Sequence, residues 1–172
     1  MKKSLKTNFY QLVSSFVRNI GGDIGNYLRI SFYRLSGAKI GKNVELRESI
    51  TIYAPYNLEI LDGTSIGVGT VLSSLKKIKI GKNVGIGNGC SIYDNDHKIP
   101  LRPGEEGMVS TPVEVKEGAW IGANSVILRG VTIGKNAIIG AGSVVNKNVP
   151  ANVVVMGNPA RIIKKNPEYK IE

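Results

Sequence analysis

The feature that most constrains this chain is an aliphatic residue that returns every six positions between residues 40 and 145. The string Ile-Gly-Lys-Asn-Val at 40–44 recurs unchanged at 80–84, and a near copy occupies 133–137. Two short insertions and one long loop reset the count. The ladder contains fifteen residues: Ile40, Leu46, Ile52, Ile60, Ile66, Leu72, Ile80, Ile86, Ile92, Val115, Ile121, Ile127, Ile133, Ile139 and Val145. Neither an amphipathic helix nor an alternating strand has this period.

A coil of three short strands does have a period of six per strand. A small or β-branched residue usually follows four places after the aliphatic one, which suits a tight corner. Examples are Val44, Thr64, Thr70, Val84, Ala119, Ser125, Val131, Ala137 and Ser143. Three hexads would close a triangular coil, and successive coils would stack about 4.8 Å apart by parallel pairing. The sequence therefore predicts a mainly all-β chain, a parallel β-helix with five coils from Ile40 to Val149 inside a domain spanning 37–172.

Residues 1–36 lack the six-residue period and form a separate segment. Their apolar residues fit helical spacing, with a break at Gly21 and Gly22, and three arginines make the segment basic. We favour a helical cap that covers the first coil, which would otherwise expose an open sheet edge. The alternative is an amphipathic segment that gives peripheral membrane association near a lipid-linked glycan.

Composition limits the compartment and the partners of the chain. Its net charge of +10 suits a phosphate-rich ligand, an acidic substrate, an anionic membrane surface or nucleic acid. No aromatic-interleaved basic patch or helix-turn-helix pattern appears, so we expect no nucleic-acid partner. The single cysteine suits a reducing compartment. Polar residues interrupt the apolar residues near the start, which argues against a signal peptide and predicts a cytoplasmic protein.

Two motifs add a family resemblance to the repeat. They are Ala-Trp-Ile-Gly-Ala-Asn at 119–124 and Gly-Asn-Pro-Ala at 157–160. With the hexads, over about residues 37–165, they resemble the hexapeptide-repeat acyltransferases, especially sugar and polysaccharide O-acetyltransferases. The resemblance implies a left-handed parallel β-helix and a homotrimer with active sites between subunits. It also implies transfer of an acetyl group from acetyl-CoA to a sugar hydroxyl in surface polysaccharide biosynthesis.

The candidate base lies in a polar loop at 93–112, where the hexad register breaks most severely. His97 is the only histidine, and imidazole has a pKa suited to deprotonating a hydroxyl that attacks a thioester. Asp94 or Asp96 could orient the ring and stabilise its cation. The resembling family places its catalytic histidine seventeen residues after the isoleucine of such a hexad, as His97 follows Ile80. Without the resemblance, an ordinary surface histidine would be the better interpretation.

The resemblance also implies a set of acetyl-CoA-binding positions. Trp120 should point outward beside the pantetheine arm, and two alanines should offer backbone groups to its amides. Basic side chains near the end of the repeat would meet the phosphates, although a solvated basic tail at 157–172 is an alternative. The positions are Trp120, Ala123, Ala141, Asn146, Lys147, Arg161 and Lys164.

Two other positions indicate what the site does not contain. Cys90 occupies a small corner slot, so we expect a core residue and not a nucleophile. Gly67 stands where galactoside-type enzymes use an asparagine for the acceptor sugar, so the acceptor does not follow from the resemblance.

Three competing functions can be weighed from the residues. N-acetylation of an amino-sugar could use the same base, and a non-catalytic β-helix scaffold would need none. A carbonic anhydrase of the β-helix type needs three histidines for zinc, and one histidine per chain predicts no metal site.

Overall fold

The chain winds into a parallel β-helix preceded by two helices, as seen in a computed structural model that describes residues 5–99 and 107–166. The helices are α1 (Leu5–Val17) and α2 (Gly22–Leu35), and a short 3-10 helix spans Pro55–Asn57. The strands are β1 (Lys39–Ile40), β2 (Glu45–Leu46), β3 (Thr51–Tyr53), β4 (Leu58–Ile60), β5 (Ser65–Ile66), β6 (Val71–Ser73), β7 (Ile78–Ile80), β8 (Gly85–Ile86), β9 (Ser91–Tyr93), β10 (Asn95–His97), β11 (Met108–Ser110), β12 (Val113–Val115), β13 (Trp120–Ile121), β14 (Val126–Ile127), β15 (Thr132–Ile133), β16 (Ile138–Ile139), β17 (Val144–Val145), β18 (Val153–Gly157) and β19 (Ala160–Lys165).

Three parallel sheets form the faces of a triangular prism. Sheet A has the order β1-β4-β7-β12-β15, sheet B runs β2-β5-β8-β13-β16-β18, and sheet C runs β3-β6-β9-β14-β17. Each coil contributes one strand to each face. Part of a sixth coil follows. It consists of β18, which pairs with β16, and of a bridge that joins Val149 to Ile133. The predicted left-handed parallel β-helix with a short helical N-terminal segment is confirmed.

The predicted ladder forms the core of the prism. Its members pair with one another in register on all three faces, for example Leu46 with Ile66 and Ile66 with Ile86. Fourteen of the fifteen are buried, and Ile40 in the first coil is partly buried. The corners turn through left-handed backbone at residues such as Asn83 (φ 53°) and Gly63 (φ 72°), which asparagine and glycine tolerate best.

Both helices lie against the first coil and occupy its free backbone groups. Polar side chains of α1 and α2, of which Arg29 and Tyr33 are buried, reach carbonyls and an amide that have no preceding coil to pair with. These contacts are Arg29 Nε to the Leu46 carbonyl (2.8 Å), Asn26 Oδ1 from the Leu46 amide (2.9 Å), Tyr33 Oη to the Ile50 carbonyl (3.2 Å), Tyr10 Oη to the Ile52 carbonyl (3.0 Å) and Arg34 Nη2 to the Ile40 carbonyl (2.9 Å).

Burial of these side chains changes their pKa values. Desolvation raises the pKa of the Tyr10 and Tyr33 hydroxyls above the ordinary value. Desolvation lowers the pKa of the Arg29 guanidinium, and the neighbouring Glu48 carboxylate opposes this effect. Arg29 is 1% exposed, so its hydrogen bond to the Leu46 carbonyl lies in the interior, and its hydrogen bond to the Ile20 carbonyl is partly buried.

The far end of the prism and the interrupting loop contain antiparallel pairs that the sequence pattern did not predict. Residues 160–165, part of the predicted tail, form β19 and pair with β18. Inside the predicted loop, β10 and β11 form a hairpin, while residues 100–106 of that loop and 167–172 of the tail lie outside the described residues.

Neither α1 nor α2 is long and apolar enough to cross a membrane, and no other helix of the described chain is either.

We predict that Arg29→Met destabilises the fold, because it leaves the buried Leu46 carbonyl and the partly buried Ile20 carbonyl without this donor. The free energy of unfolding should fall by about 2–4 kcal/mol, measured by denaturant unfolding followed by circular dichroism. The control is Lys135→Met, which removes a surface ion pair with Glu117 at 3.4 Å and should cost at most about 1 kcal/mol. Equal losses in the two variants would contradict the capping role of Arg29.

Candidate active site

One outward-facing row on sheet B carries the only tryptophan. Register pairs Glu45 with Ser65, Ser65 with Gly85, Gly85 with Trp120, and Trp120 with Ile138. The indole covers Gly85, since a Cβ there would collide with Cε3 and Cζ3 of the ring. Trp120 is 53% exposed and points outward, as the sequence predicted. A side chain at position 85 would displace the ring from this face.

The next row along the same face is made almost entirely of glycine. Gly67, Gly87, Gly122 and Gly140 follow the inward aliphatic residues, and their amides donate to the next coil at 2.8 Å. A Cβ on any of the four would clash with the following coil. Within the five complete coils, Arg47 is the one residue of this row that has a side chain, and Met156 follows Gly140 in the partial sixth coil. The row therefore forms a floor of backbone closed at one end by a guanidinium.

These two rows form a groove of about 560 Å³. Its lining includes Trp120, Ala123 and Ala141, three of the predicted acetyl-CoA-binding positions, together with the glycine floor. Ala123 and Ala141 lie at the corner between sheets B and C. The groove runs parallel to the prism axis across five coils, which suits a long, thin ligand.

The positions near the end of the repeat that were predicted to bind acetyl-CoA are only partly brought together. Lys147 and Arg161 line a smaller cavity of about 230 Å³ near the end of the repeat. Asn146 and Lys164 do not line this cavity: Asn146 follows β17, and Lys164 pairs with Val154 on an exposed strand. Lys147 and Arg161 are therefore the better candidates for a phosphate-bearing ligand.

His97 lies at the end of β10 and is exposed to solvent. In the hairpin it pairs with Met108, and the Lys98 amide donates to the Gly107 carbonyl. Asn95 holds the base of the hairpin to the coil below, donating to the Ser73 carbonyl (3.1 Å) and to Ser73 Oγ (2.8 Å). The hairpin thus projects the imidazole from a well-fixed base.

Neither candidate aspartate contacts the imidazole. Asp94 is fully buried, and its carboxylate accepts the backbone amides of 75, 76 and 77 at 2.9, 2.7 and 2.6 Å. Asp96 Oδ1 accepts a hydrogen bond from the backbone amide of His97 at 2.7 Å, and Asp96 Oδ2 lies 3.8 Å from Arg129 Nε. Among the described residues, no hydrogen bond reaches the ring from either acid. Asp94 instead fixes the corner from which the hairpin leaves, because three amides with no other acceptor converge on it.

The groove and the histidine lie on opposite sides of one chain. The hairpin leaves the corner between sheets C and A, which in a triangular prism is opposite sheet B. The groove lies on sheet B and its corner with sheet C. One chain therefore keeps the histidine and the groove apart, so a site that uses both would need a second copy of the chain.

Cys90 is a core residue, as predicted. It is fully buried, its thiol donates to the Gly122 carbonyl at 3.2 Å, and burial raises the pKa of the thiol. A thiol in this state is not a nucleophile at neutral pH.

The polar end of the groove was not predicted from the sequence. Glu45 Oε1 lies 2.8 Å from Arg47 Nη2, and Glu45 Oε2 accepts the Ser65 hydroxyl at 2.9 Å. The sequence did contain a signal, because Arg47 occupies the place that glycine occupies in the following four coils.

Known proteins are similar to this chain in sequence and in fold. Residues 112–147 match the family model described as bacterial transferase hexapeptide (six repeats). WcaF of Escherichia coli K12, named as an acetyltransferase of colanic acid biosynthesis, is 36% identical over 140 residues, 81% of this chain and 76% of that protein. A maltose O-acetyltransferase from Clostridium difficile 630 superposes with a TM-score of 0.84 at 31% identity, covering 94% of this chain and 86% of that chain. The Vibrio cholerae acetyltransferase VCA0836 in complex with acetyl coenzyme A gives 0.83 at 26%, covering 96% and 92%. The chain belongs to the hexapeptide-repeat acetyltransferases.

Proposed function

We propose that the protein transfers an acetyl group from acetyl-CoA to a sugar hydroxyl, in sites formed between neighbouring chains of a homotrimer. The observation that carries this proposal is that the chain has both an exposed histidine on a fixed hairpin and an open groove lined by Trp120. Both features belong to a chain whose family transfers acetyl groups. The VCA0836 complex and the maltose O-acetyltransferase support the donor and the kind of acceptor.

The residues of the groove fit this donor. A floor without side chains lets a pantetheine arm lie against the backbone near Ala123 and Ala141, beside the indole of Trp120. Lys147 and Arg161 line one cavity and supply positive charge for the phosphates of the donor. Guanidinium and ammonium groups bind phosphate oxygens well. Bound there, acetyl-CoA supplies an activated acyl carbon.

His97 then acts as the general base. Its imidazole accepts the proton of the acceptor hydroxyl while that oxygen forms a bond to the acetyl carbonyl carbon. As the carbon–sulfur bond breaks, the imidazolium returns the proton to the departing sulfur, giving an acetyl ester and free CoA thiol. Asp94 acts as a positioning residue, because it holds the corner that carries the hairpin.

We predict that His97→Ala lowers kcat by about 10²- to 10⁴-fold while leaving the fold and the affinity for CoA unchanged. The measurement is thiol release from acetyl-CoA with a panel of methyl glycosides, maltose and glucosamine. Lys98→Ala, at an exposed neighbouring position, should retain most of the rate. Equal rates in wild type and His97→Ala would remove the histidine from the mechanism, and acetylation of glucosamine nitrogen alone would favour the amino-sugar alternative.

A mixed-trimer experiment tests whether the site is shared between chains. We predict that Trp120→Ala also lowers transfer, because it removes a wall of the groove. When His97→Ala and Trp120→Ala chains are co-expressed in equal amounts, about one quarter of the sites should combine an intact histidine with an intact tryptophan. Activity should recover toward that fraction of the wild-type value. If both residues served the same chain, mixing would restore nothing.

We further propose a cytoplasmic location and a role in surface polysaccharide biosynthesis. WcaF is named for colanic acid, which supports a polysaccharide acceptor or its precursor. A buried, reduced thiol at Cys90 is compatible with a reducing compartment.

We also propose that α1 rests on an anionic membrane surface. Phe9, Leu12 and Phe16 are 69%, 70% and 74% exposed and lie on one helical face. Residues 1–35 contain six Lys and Arg against the single acid Asp23, so this segment carries a net positive charge. An apolar helical face with basic surroundings binds the interface of anionic bilayers and would bring the enzyme to lipid-linked glycans.

Vesicle sedimentation tests the membrane proposal. We predict binding to vesicles of phosphatidylcholine with phosphatidylglycerol, less binding to phosphatidylcholine alone, and loss of binding in the triple variant Phe9→Ser, Leu12→Ser, Phe16→Ser. The control is Ile162→Ser with Ile163→Ser, two exposed apolar residues at the other end of the prism. If the triple variant instead changes the oligomeric state and leaves vesicle binding intact, the face is a subunit contact and the membrane proposal is wrong.

A further inference from the structure

The groove on sheet B ends in three polar side chains that the acetyl-transfer mechanism does not use. Glu45, Arg47 and Ser65 form a connected cluster, with the carboxylate between the guanidinium (2.8 Å) and the hydroxyl (2.9 Å). Arg47 and Ser65 line the same cavity as Trp120 and Ala141. The Arg47 side chain is 51% exposed and that of Glu45 is 39% exposed, so both can reach a ligand.

Register fixes where this cluster lies relative to the indole. Ser65 and Glu45 belong to the same outward row as Trp120, two and three coils away, or about 10 and 14 Å. The indole covers Gly85, the residue between Trp120 and Ser65, so the ring and the cluster are neighbours. Ala123 and Ala141 lie toward the opposite end of the groove.

The chemistry of the cluster matches a saccharide. The Glu45 carboxylate has further lone pairs for hydroxyl donors, and Arg47 has N–H groups that are not directed at Glu45. Ser65 can donate or accept. An exposed indole beside them offers an apolar face to the C–H groups of a sugar ring. The charges of Glu45 and Arg47 cancel, which suits an acceptor of many hydroxyls and no net charge.

We infer that Glu45, Arg47 and Ser65 form the acceptor subsite and determine which saccharide is acetylated. This inference rests on the proposed function and adds to it the residues that hold the acceptor. The acceptor lies over Gly67 and Gly85 at the cluster end of the groove, and the donor enters from the alanine end. Because Gly67 has no side chain, the space above it stays open for a sugar ring.

The test separates acceptor binding from donor binding. Arg47→Ala, Glu45→Gln and Ser65→Ala should each raise the KM for the acceptor, by about tenfold for Arg47→Ala, and leave the KM for acetyl-CoA unchanged. The acceptors are methyl β-galactoside, methyl α-glucoside and maltose, assayed by thiol release. Arg47→Lys keeps the charge but not the planar fork and should rescue only in part.

A matched control distinguishes this role from a structural one. Lys79 and Glu114 form a comparable surface ion pair on sheet A at 3.7 Å, away from the groove. Lys79→Ala should change neither KM, and thermal unfolding should match for all variants. An acceptor KM that is unchanged in Arg47→Ala and Glu45→Gln, while wild type acetylates the sugar, would overturn the inference and leave the proposed function intact.

Direct binding separates failure of the subsite from failure of the proposed function. Saturation-transfer NMR with methyl β-galactoside, methyl α-glucoside and maltose should detect binding to wild type and a weaker signal with Arg47→Ala. If wild type acetylates no saccharide but still binds one through Arg47, the proposed function is wrong and the saccharide subsite stands. If wild type neither acetylates nor binds any of them, both are wrong.

Discussion

The inward stack of Ile, Leu and Val side chains is the interaction on which the rest of the structure depends. Parallel backbone pairing holds successive coils together but would tolerate a shift in register. The branched side chains remove that freedom, because each lies directly above its counterpart in the coil below, as Ile66 lies between Leu46 and Ile86. Once the inward positions are fixed, the outward rows are fixed as well. The glycine floor, the indole and the polar cluster line up for this reason alone.

The sequence predicted the prism but only part of the candidate site. A six-residue period is a local property, so the coils, their core and the outward direction of Trp120 could be read from spacing. The role of Asp94 could not, because spacing does not reveal that three amides at 75–77 converge on its carboxylate. The hairpin that carries His97 was missed since its two strands are separated by a loop without periodicity. Arg47 could have been found by comparing the residue after each inward aliphatic across the five coils.

The two halves of the proposed site differ in how they are held. The groove is made of backbone and short side chains that belong to the stacked coils, so its shape is as rigid as the prism. The histidine projects on a hairpin attached by Asn95 below and by Asp96 to Arg129 above. In the proposed trimer, subunit assembly would set the distance between the groove of one chain and the base of its neighbour.

The glycine row has a consequence for how such proteins diversify. Its four glycines cannot be exchanged, because a Cβ at any of them would clash with the next coil. Outward residues beside them, such as Ser65, lie clear of the aliphatic interior and tolerate exchange without repacking. New acceptor preferences can therefore arise through single replacements along one face, at little cost to thermodynamic stability. In a prism of repeated coils, the inward residues determine the fold and the outward residues determine which molecule is bound. The outward residues can therefore change during evolution while the fold is kept.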